Sequence, residues 1–162
     1  MTALGKVLVG LLIAGGVLTV CMIVLLVVLA RVSRRSPPEL GVTSGELKPC
    51  PNSPNCVSTQ SEDPRHAIAP IPYTGSLAEA KTTILDVAAA IEGATIVTQD
   101  SDYVHVEVYV RGFGFVDDVE FAFDEEAQVI HFRSSSRVPY YDYDLNRKRM
   151  EGVRTAFEAA SN

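Results

Sequence analysis

Tyr103-Val-His-Val-Glu-Val-Tyr-Val-Arg111 decides the fold. Val104, Val106, Val108 and Val110 alternate with His105, Glu107, Tyr109 and Arg111, and successive side chains of a strand point to opposite faces. The stretch is therefore a strand with one apolar and one polar face. Downstream, Gly112-Phe-Gly114 supplies a hairpin turn. Phe115 to Phe123 returns with Val119, Phe121 and Phe123 on one side and Asp118 and Glu120 on the other. Asp124-Glu-Glu-Ala127 turns the chain again, and Gln128 to Arg133 sets Ile130 and Phe132 inward, His131 and Arg133 outward. Upstream, Ala94 to Thr98 reads as a short strand. The expectation is an α+β domain built on a four-stranded antiparallel meander.

Two helices cover its apolar face. Ser76-Leu-Ala-Glu79 has the form of a capping box, and Leu77, Ala80, Ile84, Val87, Ala88 and Ile91 follow at helical spacing until Gly93. The last helix runs from Leu145 to Ala160 with Met150, Val153, Phe157 and Ala160 as its stripe. Between the last strand and this helix the chain turns through Ser134, Ser135 and Ser136.

The 162 residues have room for one domain and an extra segment. Val7 to Ala30 is uncharged, and its 24 residues at ~1.5 Å each extend ~36 Å, enough for a ~30 Å hydrocarbon core. Residues 1–32 are expected to be a retained, single-pass membrane anchor, because Val20-Cys21 is followed by nine more apolar residues rather than a cleavage site. Eight of the nine prolines lie between Pro37 and Pro72, which disfavours a helix or a central strand there. Residues 33–46 then form a linker, and 47–162 the domain, entered through a Pro-rich arm from Leu47 to Tyr73.

Cys50 and Cys56 enclose the turn-forming Pro-Asn-Ser-Pro-Asn. Outside the cytoplasm they make a small disulfide loop; in a reducing compartment they are thiols or, with His66, half of a metal site. The disulfide is the expectation, with no metal or cofactor. Arg31, Arg34 and Arg35 after the anchor favour a cytoplasmic domain by the positive-inside rule, whereas a disulfide favours the extracytoplasmic side, which is taken here. Oligomeric state is not legible.

The second sheet face gathers His105, Glu107, Tyr109, Arg111, Asp118, Glu120, His131 and Arg133. Such a face is either solvated and ion-paired or a cleft for acid–base chemistry. The charge is polarised along the chain. Gln99 to Glu126 holds nine acids against one base, and His131 to Arg154 six bases against three acids. Arg147, Lys148 and Arg149 sit at a helix start, where the macrodipole favours acids, so something else holds them there.

Cys50-Pro-Asn-Ser-Pro-Asn-Cys56-Val57, together with the run from His131 to Arg154, resembles domain-of-unknown-function family 1499 over roughly residues 47 to 158. The family pattern Arg-Ser-x-Ser-Arg-Val-Gly-x-x-Asp-x-Gly-x-Asn-Arg-x-Arg matches at Arg133, Ser134, Ser136, Arg137, Val138, Asp142, Asn146, Arg147 and Arg149. Asp-Asp-x-Glu-Phe matches at Asp117, Asp118, Glu120 and Phe121. Pro139 and Asp144 stand where the pattern has glycine, which implies a locally different loop, with Asp144 available as an N-cap.

Three functions follow as expectations. The first is a non-enzymatic, membrane-tethered module binding a partner protein or a small anionic ligand, with Arg133, Ser134, Ser136, Arg137, Asp142, Asn146, Arg147 and Arg149 as the ligand-binding set. The second is a hydrolase using His105, Asp118, Glu120 and His131. The third is a redox or metal role for Cys50 and Cys56. Nucleic acid is not an expected partner, because the net charge is −6.

Overall fold

A computed structural model of the chain describes residues 2–35, 39–112, 114–138 and 142–161. Its elements are α1 (Ala3–Arg35), β1 (Val42–Thr43), β2 (Glu46–Leu47), β3 (Cys56–Ser58), β4 (Ile71–Pro72), α2 (Leu77–Ala89), β5 (Ala94–Gln99), β6 (Tyr103–Val110), β7 (Phe115–Asp124), β8 (Val129–Ser136) and α3 (Leu145–Ala160). The β6–β7 turn has Gly112 and Gly114 at positive φ; Phe113, quoted with them above, lies outside the described residues.

Strands β5 to β8 run antiparallel in sequence order, as their alternation requires. The sheet has six strands rather than four, because β3 and β4 both pair with the outer edge of β8. These segments are two or three residues long, and β4 ends in a proline, so no period betrays them. Pro72 fits on the edge, where its missing N–H costs no ladder bond. The three serines expected to turn the chain extend β8 instead: Ser134, Ser135 and Ser136 pair with Val119, Asp118 and Asp117. Serine is a weak strand former, but two neighbouring strands hold this one in register.

The apolar face is the core. Val104, Val106, Val108, Val119, Phe121, Phe123, Ile130 and Phe132 are buried beneath Ala80, Ile84 and Ala88 of α2 and Met150, Val153 and Phe157 of α3. Phe121, Phe132 and Phe157 are fully buried, each removing ~1.5–3 kcal/mol of apolar exposure. The capping box forms, Ser76 Oγ accepting from Glu79 N at 3.3 Å and Glu79 Oε2 from Ser76 N at 3.0 Å.

Helix α1 is long and apolar enough to cross a membrane, with a mean hydropathy of 3.0 over its best window and its apolar side chains exposed. Its last turn docks on the sheet. Ser33 Oγ accepts from Val116 N at 2.8 Å, and Arg34 Nε donates to Gly114 O at 3.0 Å. Ser33 thus belongs to the buried body although it falls in the stretch expected to be a linker. Ser36, Pro37 and Pro38 of that stretch lie outside the described residues.

Candidate functional site

On the polar face, register places His105 opposite Glu120, Glu107 opposite Asp118, and Glu120 opposite Arg133. Arg137 reaches back over the sheet just beyond β8. Its Nε donates to Asp118 Oδ2 at 2.8 Å and its Nη2 to Asp118 Oδ1 at 2.7 Å, a two-pronged carboxylate grip. The same Nη2 donates to Glu107 Oε1 at 2.5 Å, and Nη1 to Ser33 O at 3.0 Å. His105 Nε2 donates to Asp118 Oδ1 at 2.8 Å. Burial alone pushes the Asp118 carboxyl up, but the bonds from Arg137 and His105 outweigh it and hold the group below the usual carboxylate range.

Glu120 forms the neighbouring cluster. It accepts from Tyr103 Oη at 2.8 Å, Arg133 Nη1 at 2.9 Å and Gly41 N at 3.0 Å. Burial, followed by the charge of Glu120, raises the Tyr103 phenol above its ordinary value. Leu47 closes this region against Tyr103 and Ala122. The side chains of Asp118, Arg137 and Glu120 are 2%, 4% and 0% exposed. This part of the face is therefore buried, beneath the end of α1 and residues around Gly41 and Leu47, whereas Glu107 and Tyr109 further along it stay partly exposed.

Three of the four expected catalytic residues are neighbours, since His105 stands opposite Glu120 and beside Asp118, and the fourth lies apart on Thr59. His105 and Asp118 share a bond, Glu120 belongs to the Arg133–Tyr103 cluster, and His131 Nδ1 lies 3.1 Å from Thr59 Oγ1.

The basic signature serves both sides of the sheet. Arg133 and Arg137 lie on the polar face. On the helix side, Asn146 is fully buried, its Nδ2 donating to Asn55 O, Ser136 Oγ and Asp142 Oδ2, while Ser134 Oγ donates to its Oδ1. Arg149 Nη2 grips Asp117 Oδ2 at 2.6 Å, and its Nη1 meets Asn146 Oδ1 at 2.7 Å and Ser134 Oγ at 3.1 Å. Arg147 donates to the carbonyls of Ala67 and Arg65, and Lys148 to that of Tyr143. These acceptors explain why three bases occupy an unfavourable helix end.

Asp144 is at the N-cap position of α3 but makes no side-chain cap bond; it takes the left-handed conformation, φ 60°. That conformation suits glycine, and aspartate is among the residues that tolerate it. Capping falls to Asp142, whose Oδ1 accepts from Asp144 N and Oδ2 from Asn146 N. Pro139, the other departure from the pattern, lies outside the described residues.

Cys50 and Cys56 are joined in a disulfide, with His66 Nδ1 2.8 Å from Cys56 O. With both thiols oxidised, no thiolate pair faces His66. Among the described residues, no group of three or more His, Cys, Asp or Glu side chains is placed to hold a metal ion.

Reasoning from sequence missed Tyr103, Ser33, Gly41 and Asn55. Tyr103 shares the parity of His105 and was findable; the other three lie where no periodicity marks them.

A family model described as a protein of unknown function (DUF1499) matches residues 46–157. No curated protein matches the chain.

Proposed function

From the chain's membership of the DUF1499 family, whose function is unknown, we propose that it is a single-pass membrane-tethered module that binds a partner protein or a small anionic ligand and does no chemistry of its own. The observation that carries this reading is the pairing of its buried carboxylates, although Arg133 Nε is buried without a partner among the described residues. Asp118 is held by Arg137 and His105, Glu120 by Arg133 and Tyr103, and Asp117 by Arg149. A general acid or base must reach the proton it moves. Side chains only 2% and 0% exposed, at Asp118 and Glu120, offer a substrate no such approach. The buried network acts instead as a scaffold that presents an outer surface.

The tether is α1, and a disulfide between Cys50 and Cys56 favours placing the domain on the extracytoplasmic side. The test has two parts. The full chain should stay with membranes through high salt and alkaline carbonate. Purified in nanodiscs, it should leave ester, amide and phosphoester substrates unchanged. Turnover abolished by His105→Gln or His131→Ala, with the melting temperature preserved, would replace the binding module with an enzyme.

A further inference from the structure

Where α1 leaves its apolar stretch, a cleft of about 430 Å³ opens between the helix and the β6–β7 turn. Ile23, Leu26 and Val27 form one wall, and Tyr109, Gly112 and Gly114 the other. Arg31 and Arg34 stand at its rim. A Cβ on Gly112 would meet nothing within 4 Å, whereas a Cβ on Gly114 would clash with Arg34 Nη2.

We propose that this cleft holds one anionic phospholipid of the bilayer that α1 crosses, its phosphate at Arg31 and Arg34 and its upper acyl chain along Ile23 and Val27. The proposal rests on α1 being a membrane span, and it names a ligand for a site that the buried network does not touch. Depth is the first argument. The cleft straddles the step from Ala30 to Arg31, where apolar sequence ends and headgroups begin. Tyr109, 43% exposed, is an amphipathic ring of the kind enriched at that level. Charge is the second. Arg34 is set in place by Gly114 O and by the Tyr109 ring, its guanidinium 5.2 Å from the ring centroid. Arg31 lines the same cleft, is exposed, and has no hydrogen-bond or ion-pair partner among the described residues. A guanidinium suits a phosphate diester geometrically, and the chain's net charge of −6 makes this basic rim a local exception.

The chain has no tryptophan, so Tyr109→Trp in the full chain gives a single reporter inside the cleft. In vesicles at low salt, brominated phosphatidylglycerol should quench the introduced indole with about fivefold preference over brominated phosphatidylcholine, the effect of one interfacial arginine. Arg31→Gln in that background should remove the preference. Native mass spectrometry of the unsubstituted chain, released from nanodiscs of equal phosphatidylglycerol and phosphatidylcholine, should show one retained phosphatidylglycerol. Equal quenching by the two lipids, or a preference unchanged by Arg31→Gln, overturns the site. Suppression of the preference by millimolar glycerophosphate would assign the cleft to a soluble phosphate and also overturn it. A chain that resists carbonate yet shows no preference loses only the lipid site, whereas release by carbonate removes the tether reading with it.

Discussion

Removing the Arg137 side chain is the most informative single change. Its guanidinium makes two bonds to Asp118, one to Glu107 and one to the carbonyl of Ser33, and its side chain is 4% exposed. Arg137→Ala leaves the Asp118 carboxylate, 2% exposed, with His105 as its remaining partner. Breaking a buried pair from one side costs ~3–5 kcal/mol, a large share of a typical ~5–15 kcal/mol stability. The Glu107 bond adds little, because that side chain is 34% exposed, and Glu107→Gln should cost under ~1 kcal/mol. For a domain of this size, ~4 °C per kcal/mol gives a fall of ~12–20 °C in melting temperature. The assay is thermal unfolding of the full chain in detergent, followed by near-ultraviolet circular dichroism. Arg137→Leu combined with Asp118→Leu should cost at least ~1 kcal/mol less than the sum of the single changes, since no charge is then stranded. A fall under ~4 °C for Arg137→Ala, or strict additivity in the double variant, would show that Arg137 braces nothing and would return it to the ligand-binding candidates.

Three further outcomes follow. Because the folded pKa of Asp118 lies below its unfolded value of ~3.9, its contribution is complete above that value and is lost as pH falls through the folded one; denaturant titrations should show stability dropping below about pH 4, with a shallower slope in Asp118→Asn. Reducing the Cys50–Cys56 bond, which spans a sequence separation of 6, should cost ~2 kcal/mol by the chain-entropy account, and unreduced peptide from this loop should weigh two hydrogens less by mass spectrometry. Asn146→Ala, which empties the junction of Ser134, Ser136, Asn55 and Arg149, should lower stability by ~2–4 kcal/mol in chemical unfolding, and retention of full stability would mean that water replaces the amide.

The meander was legible because β6, β7 and β8 carry a period of two, and α2 because its cap and stripe agree. The burial of the Asp118–Glu120 part of the polar face was not legible. Residues such as Glu120 and His105 look alike in sequence whether water or protein lies above them. Their cover comes from Ser33, Gly41 and Leu47, in stretches without periodic pattern. The pairing of Arg137 with Asp118 joins residues 19 apart, and Arg149 with Asp117 residues 32 apart. Charge counts pointed to acid–arginine pairing but not to which arginine crosses to which face. That choice follows from side-chain parity at Asp117 and Asp118, adjacent residues that face opposite sides of one strand.

The joint between α1 and β7 has a mechanical consequence. A slack tether would let the domain swivel over the bilayer, with no torque passing between the two. Here the Ser33 carbonyl in the last turn of the helix is bound by Arg137, whose other bonds run to Asp118 and Glu107. On the proposed span, an apolar stretch of ~36 Å in a ~30 Å hydrocarbon layer tilts, and the tilt turns the whole domain as a lever about Ser33. On that span, a thinner or thicker bilayer would change which flank of the domain faces the lipid, and bending the joint would load the same guanidinium that grips Asp118. Arg137 would share that load with the Ser33–Val116 and Arg34–Gly114 bonds, so that membrane thickness would reach the buried network through the joint as a whole.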